Sequence, residues 1–237
     1  ILRFSDDTGA IHYGNSYNGG LNILRYNYFH DIGAELSFNN IVSGIYLDNC
    51  CSAEICYGNV MKNIHGYGFF LCGGRDYKVT GNLIINTKQK AVFYDQRGYD
   101  AIWGPTWYDI AEVRRDADFF SDPRFKTEEW VTAFPWMKDQ NFNFETASPD
   151  DPNWFSTPAN SVVKDNVYVI TSAAEEKSFA ENGDFKFEYL DAVKRFSDVG
   201  DGIYITADGI PETLKDIAAL DLPDCIDIPF EKIGRTK

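Results

Sequence analysis

Four short phrases recur along the chain and restrict its fold more than any other feature. They are TGAIHYGN from Thr8, SGIYLDN from Ser43, YGFFLCGG from Tyr67 and KAVFYDQRG from Lys90. Aligned, they place Ile11, Ile45, Phe69 and Val92 in one column, at separations of 34, 24 and 23 residues. A second phrase follows each of them or returns later: LNILRYNYFHDIG, SAEICYGNVMKNIHG, DYKVTGNLIINTKQ and NSVVKDNVYVIT. Each carries a polar residue or Gly, then Asn, then an apolar run, at Asn27, Asn59, Asn82 and Asn166. The first three Asn lie 32 and 23 residues apart, in step with the strand column. One unit is therefore about 23 residues, lengthened by about ten before SGIYLDN and by a long insertion after YDQRG.

Strands of three to five residues at that period, separated by Gly and Asn turns, predict an all-β fold, a right-handed, single-stranded parallel β-helix of about four coils. Successive coils would stack at about 4.8 Å, the strand spacing of a sheet. Asn at one corner of every coil suits such a stack, because it tolerates left-handed backbone and its amide can bond up and down. An antiparallel sandwich would not repeat one residue type at one corner every 23 residues.

Alternation with a period of two assigns the faces of the first strand of each unit. Ile11, Tyr13, Ile45, Leu47, Phe69, Leu71, Val92 and Tyr94 face inward. His12, Tyr46, Phe70 and Phe93 face outward, followed on the same side by Gly14, Asp48, Cys72 and Asp95. The outward face thus joins an aromatic ladder to a column holding two carboxylates. Aromatics alone would be explained by packing beneath a loop.

The pattern divides the chain into residues 1–97, the β-helix coils; 98–160, an insertion; and 161–237, a final coil with a C-terminal cap containing short helices. All five Trp (103, 107, 130, 136 and 154) lie between Gly98 and Pro158, which leaves the helix just after Asp95. Its expected place is over the outward face as a cleft wall, with Trp103 and Trp107 against the aromatic ladder. Within it EEWVTAFPWM reads as a short helix or turn, and FEYLDAVKRF and PETLKDIAAL read as short helices further on. The tail IPFEKIGRTK is expected to cap the open end of the helix.

The balance of 36 acidic against 22 basic residues, a formal charge of −14, argues against nucleic acid and anionic membrane surfaces as partners. No apolar run approaches the roughly 18 residues of a membrane span, so no membrane insertion is expected. Five cysteines (Cys50, Cys51, Cys56, Cys72 and Cys225) lack metal spacing, and their simplest role is that of small buried hydrophobes. His12, His30 and His65 form no metal-binding pair by spacing, so no metal site is expected.

The phrases SDDTGAIHYG, RYNYFHDIG, SGIYLDN, YGNVMKNI, GGRDYKVTGNLIIN, AVFYDQRG and IPFEKIG resemble secreted bacterial right-handed β-helix proteins of the pectate-lyase-like superfamily. The nearest resemblance is to glycoside hydrolase family 141 and its neighbours, which include α-L-fucosidases and xylanases. It implies a secreted, periplasmic or cell-surface protein of polysaccharide degradation, acting on a plant or host glycan. It also implies that the chain is the C-terminal portion of a longer protein, with earlier coils of the same helix as its partner. An acidic pair is expected from phrases like SDDTGAI and GIYLDN, here Asp7, with Asp6 beside it, and Asp48.

Glycoside hydrolysis needs two carboxyls across one bond, one as acid and one as base or nucleophile. Asp48 and Asp95 share a column two coils apart, about 9.6 Å between backbones. Asp7 reaches Asp48 only if the chain bends at Thr8-Gly9. Spacing therefore favours Asp48 with Asp95, and resemblance favours Asp48 with Asp7. Either acid could instead cap a strand end. Arg97 could orient a substrate hydroxyl or act on the Asp95 carboxylate, and Arg75 with Asp76 reads as a local salt bridge. His12, Tyr46, Phe70, Phe93, Arg97, Trp103 and Trp107 are the expected substrate contacts. Hydrolysis needs no cofactor. A polysaccharide lyase would need Ca2+ held by clustered carboxylates, and a non-catalytic carbohydrate-binding β-helix would need only the aromatics.

Overall fold

In the computed structural model, residues 2, 5–14, 20–34, 41–49, 51–97, 99, 123–135, 151–152, 157–172 and 188–233 are described. The chain is mostly β, with three five-stranded sheets and a few short helices. The first sheet contains β1 (Thr8–Tyr13), β4 (Val42–Leu47), β7 (Phe69–Cys72), β10 (Val92–Asp95) and β13 (Glu188–Tyr189). The second contains β2 (Ile23–Arg25), β5 (Ile55–Tyr57), β8 (Lys78–Thr80), β11 (Val162–Lys164) and β14 (Asp198–Val199). The third contains β3 (Tyr28–Ile32), β6 (Val60–Ile64), β9 (Leu83–Thr87), β12 (Val167–Ile170) and β15 (Ile203–Thr206). Each strand pairs with the strand three places on in sequence, always in parallel. The chain therefore visits the sheets in a fixed cyclic order, and each circuit stacks on the one before.

The register is the one the repeat predicts: Ile11 lies opposite Ile45, Ile45 opposite Phe69 and Phe69 opposite Val92. Among the described residues five circuits are present, one more than expected. The fifth was illegible because its strands in the first and second sheets are only two residues long, too short to show alternation.

Two corners of each circuit are built the same way. Before the second sheet, Leu21, Ala53, Asp76 and Asn160 take positive φ of 58–69°. Before the third, Tyr26, Gly58, Gly81 and Asp165 do so at 57–62°. A residue in left-handed conformation turns the chain sharply, and a polar side chain following it binds the freed backbone groups. At the third-sheet corner that side chain is the recurring Asn. Asn27 Nδ2 donates to Asn59 Oδ1 at 2.9 Å, Asn59 Nδ2 to Asn82 Oδ1 at 3.0 Å, and Asn82 Nδ2 to Asn166 Oδ1 at 2.8 Å. Asn59, Asn82 and Asn166 are fully buried. A second ladder runs inside the third sheet, where Asn63 donates to Asp31 and Asn86 to Asn63.

The interior is filled by the residues that alternation turns inward, among them Ile45, Leu47, Phe69, Leu71, Val92, Tyr94, Met61, Ile84 and Tyr168. The outer face of the third sheet is apolar too, through Val60, Leu83, Ile85, Val167 and Val169. It is covered by the C-terminal segment, which includes α3 (Leu214–Ala218, after the two helices given below) and the stretch to Ile233. The described part of the tail thus lies along a flank of the stack, with Ile228 and Phe230 against the third sheet, where an end cap was expected. The physical reason is the apolar column Tyr28–Val60–Leu83–Val167–Ile203 on that flank, which the segment withdraws from water.

Of the insertion, α1 (Glu128–Ala133) is the expected short helix. Trp130 stacks on Phe134 at 5.3 Å, and Phe134 is buried against the corner at Gly20. Trp103, Trp107, Trp136 and Trp154 lie outside the described residues. The helix α2 (Asp191–Phe196) follows β13 and buries Ala192 and Val193.

Candidate active site

The outer face of the first sheet carries the groups expected to do chemistry. Its aromatic ladder forms as alternation requires: His12 stacks on Tyr46 at 4.5 Å, Tyr46 on Phe70 at 4.6 Å, and Phe70 meets Phe93 at 5.3 Å. Tyr67, which the sequence reading did not single out, reaches in from the preceding turn and touches both Phe70 and Phe93. Tyr46 and Phe70 are buried, while His12 stays exposed at the first-circuit end.

Beside the ladder runs the second outward column. Asp95 pairs with Cys72, and Asp48 directly follows Leu47, which pairs with Leu71. Gly14 occupies the same column one circuit earlier, and a Cβ there would sit 3.8 Å from that of Asp48.

Both acids do cap backbone at their strand ends: Asn49 N–H donates to Asp48 Oδ1 at 2.8 Å, and Arg97 N–H donates to Asp95 Oδ1 at 3.0 Å. Capping does not exhaust their contacts. Asp48 Oδ2 lies 3.6 Å from His12 Nε2, and Asp48 Oδ1 lies 3.5 Å from Arg97 Nη1. Arg97 Nη2 lies 3.2 Å from Asp95 Oδ2. A continuous chain His12–Asp48–Arg97–Asp95 results, with side chains 34, 18, 14 and 11% exposed in that order. The guanidinium stands between the two carboxylates that spacing alone had paired.

Asp7 joins the face by another route. It takes a left-handed φ of 49°, one residue earlier than the bend expected at Thr8-Gly9. Its Oδ1 accepts the Tyr46 hydroxyl at 2.9 Å. Tyr46 and Asp48 are two residues apart on one side of β4, about 6.6 Å along the strand. Asp7 and Asp48 thus approach the same stretch of surface from the tip of Tyr46 and from the strand end.

The electrostatics differ between the groups. Burial, then the nearby Cys72 and Asp48, pushes the Tyr46 phenol far up, so it stays a hydrogen-bond donor. Burial raises the Asp95 carboxyl, opposed by the Arg97 charge and by N–H groups of Arg97 and Gly73. Cys72 is raised by burial and then by Asp95, so it remains a thiol between the two acids. Among the described residues no three His, Cys, Asp or Glu side chains converge to hold a metal ion.

The local Arg75–Asp76 salt bridge forms at 2.9 Å inside the corner before the second sheet, with Arg75 1% exposed and Asp76 half-buried, so it is largely withdrawn from solvent. The same corner holds a polar column that the sequence did not reveal: Asn22, Glu54, Tyr77 and Ser161, each just after the left-handed residue. Asn22 Nδ2 donates to Glu54 Oε1 at 2.9 Å, and the Tyr77 hydroxyl donates to Gly73 O at 2.9 Å and to Cys51 O. The recurring left-handed position was the available signal, but Leu21 and Ala53 occupy it twice and hide it.

No protein-family model, curated protein or solved structure matches the chain.

Proposed function

We propose that the three sheets are the sides of a right-handed parallel β-helix of the pectate-lyase-like kind, and that the chain is a glycoside hydrolase of a secreted or cell-surface setting. It cleaves O-glycosyl bonds of a polysaccharide with Asp48 and Asp7 as the carboxylate pair. The observation that carries the assignment is the Tyr46 hydroxyl on Asp7, which draws this acid onto the face that Asp48 already occupies. The pair supplies the proton donor and the base or nucleophile that the reaction needs. His12, exposed on the end of the aromatic ladder, offers a flat surface on which a sugar ring stacks. Asp95 is set apart from this pair by the intervening guanidinium.

The test is a screen of neutral and acidic plant and host glycans, followed by Asp48→Asn and Asp7→Asn on whichever substrate is cleaved. Each variant is expected to lose at least about 10²-fold in kcat with an unchanged melting temperature. Near-parental turnover in Asp48→Asn refutes the assignment. Unsaturated products whose formation stops on calcium removal would identify a lyase instead, and binding without cleavage would identify a carbohydrate-binding protein.

A further inference from the structure

We propose that Arg97 is the positioning residue of this site: it fixes the Asp48 carboxylate, and Asp95 serves as the anchor of Arg97 and exchanges no proton with substrate. The inference rests on the reading of Asp48 as catalytic. Asp95 holds Arg97 twice, by Oδ1 on its backbone N–H at 3.0 Å and by Oδ2 on Nη2 at 3.2 Å. These two contacts close a small ring over one intervening residue and turn the guanidinium back along the column. Along that direction, Nη1 meets Asp48 Oδ1 at 3.5 Å.

The column explains why this fits. Asp48 and Asp95 are two circuits apart, about 9.6 Å between backbones, too far to share a contact directly. The circuit between them presents Cys72, a short neutral side chain with no exposed surface. A longer residue there would fill the space the guanidinium crosses. Asp48 is then held from three sides: by Arg97, by His12 Nε2 on its other oxygen, and by the N–H of Asn49. A planar fork with fixed donor directions orients a carboxylate as a lysine ammonium cannot. In a site where these side chains are mostly buried, the attraction is also little weakened by salt.

Variants of Arg97 and Asp95, singly and combined, decide it, with Asp48→Asn measured in parallel. Arg97→Ala is expected to lower kcat by about 10–100-fold with KM nearly unchanged, the cost of a misaimed catalytic group. Added guanidinium ion is expected to restore part of that loss, and the same ionic strength of sodium chloride none. Arg97→Lys, the variant that preserves the charge should the Ala variant fold poorly, is expected to keep the parent melting temperature and still lose most of kcat. Asp95→Asn is expected to cost about tenfold, and the double variant to be no slower than Arg97→Ala alone, because both act through one contact. A crystal structure of Arg97→Ala, which needs no substrate, is expected to show the Asp48 carboxylate rotated or in several rotamers. The inference is overturned if Asp48 keeps its parent rotamer there, if Arg97→Lys is fully active, or if Asp95→Asn is as inactive as Asp48→Asn. Full activity in Asp48→Asn overturns the proposed function, and this inference with it, whereas an inactive Asp48→Asn beside fully active Arg97 variants overturns this inference alone.

Discussion

Replacing Glu54 by Gln tests the most exposed weakness in the stack, a carboxyl inside a corner. Glu54 has no solvent-exposed surface, accepts a bond from Asn22 on Oε1, and leaves Oε2 without a partner. Burial, only partly offset by Asn22 and Cys51, pushes its carboxyl from 4.5 up to about 7. At about 1.4 kcal/mol per pKa unit, the ionised form is disfavoured by at most about 3 kcal/mol. The interior responds to a charge as a medium of effective dielectric about 20, so about half of that is the working figure. The sign follows from linkage. Below pH 4.5 the carboxyl is protonated in both the folded and the unfolded chain, and the site carries no penalty. Between 4.5 and about 7 the unfolded chain ionises while the folded one resists, so stability falls as pH rises. Above about 7 the full penalty is present. Gln keeps the acceptor for Asn22 and has no charge, so it stands in for the protonated form. In urea titrations, Glu54→Gln should match the parent at pH 4 and exceed it at pH 8 by about 1.5 kcal/mol, or about 3–6 °C in melting temperature for a chain of this size. A stability difference that is flat between pH 4 and pH 8, or a variant weaker than the parent at pH 8, refutes the reasoning.

Asn82→Ala, at the middle of the asparagine ladder, should cost about 3 kcal/mol in denaturant unfolding, because it strips partners from both Asn59 and Asn166 in a fully buried row. The same change at Asn27, the partly exposed end of the row, should cost about 1 kcal/mol; equal losses at both positions would mean that the ladder is no more than local capping. Gly68→Ala should destabilise by about 1–3 kcal/mol, since its Cβ would lie 2.5 Å from the Ala91 carbonyl of the next circuit, a backbone atom that cannot swing away. A melting temperature unchanged in that variant would show that the first sheet tolerates wider strand spacing.

How much of this was legible follows from what each level of order depends on. The stacked column of Ile11, Ile45, Phe69 and Val92 could be read because a stack demands one residue class at one phase, and phase survives in the sequence. The asparagine ladder was legible for the same reason. The Asn22–Glu54–Tyr77–Ser161 column was not, because four residue types fill it with different partners: Asn22 donates to Glu54, the Tyr77 hydroxyl to the Gly73 carbonyl, and Ser161 Oγ accepts the Tyr77 N–H. Within the site, alternation placed His12, Tyr46, Asp48 and Asp95 on one face correctly, since it concerns only the strands. It could not give the path of Arg97 or Asp7, which lie beyond the strand ends. There a single left-handed residue and one folded-back side chain decide which acids meet.

The three outward faces then received three different fates from the residues at alternate positions. The third is largely apolar, with Lys62 donating to the Glu212 carbonyl, and is covered by the tail. The second presents Arg25 to Tyr57 and Lys164 to Asp198, exposed pairs worth little to stability. Among the described residues the first gathers two carboxylates and a guanidinium, largely withdrawn from solvent, at the end of an aromatic ladder, and that placement is not the stable choice. Well-packed hydrophobic residues of similar volume in place of a buried ion pair are often neutral or stabilising by about 1–4 kcal/mol. Capping of the Asn49 and Arg97 N–H groups accounts for one oxygen of each acid, and Cys72 in the same column shows that the sheet also accepts a small neutral residue there. Asp48, Arg97 and Asp95 meet on a face otherwise built of stacked rings, and local departures from the most stable packing are expected at working sites. The proposed carboxylate pair and its guanidinium support give that departure a cause.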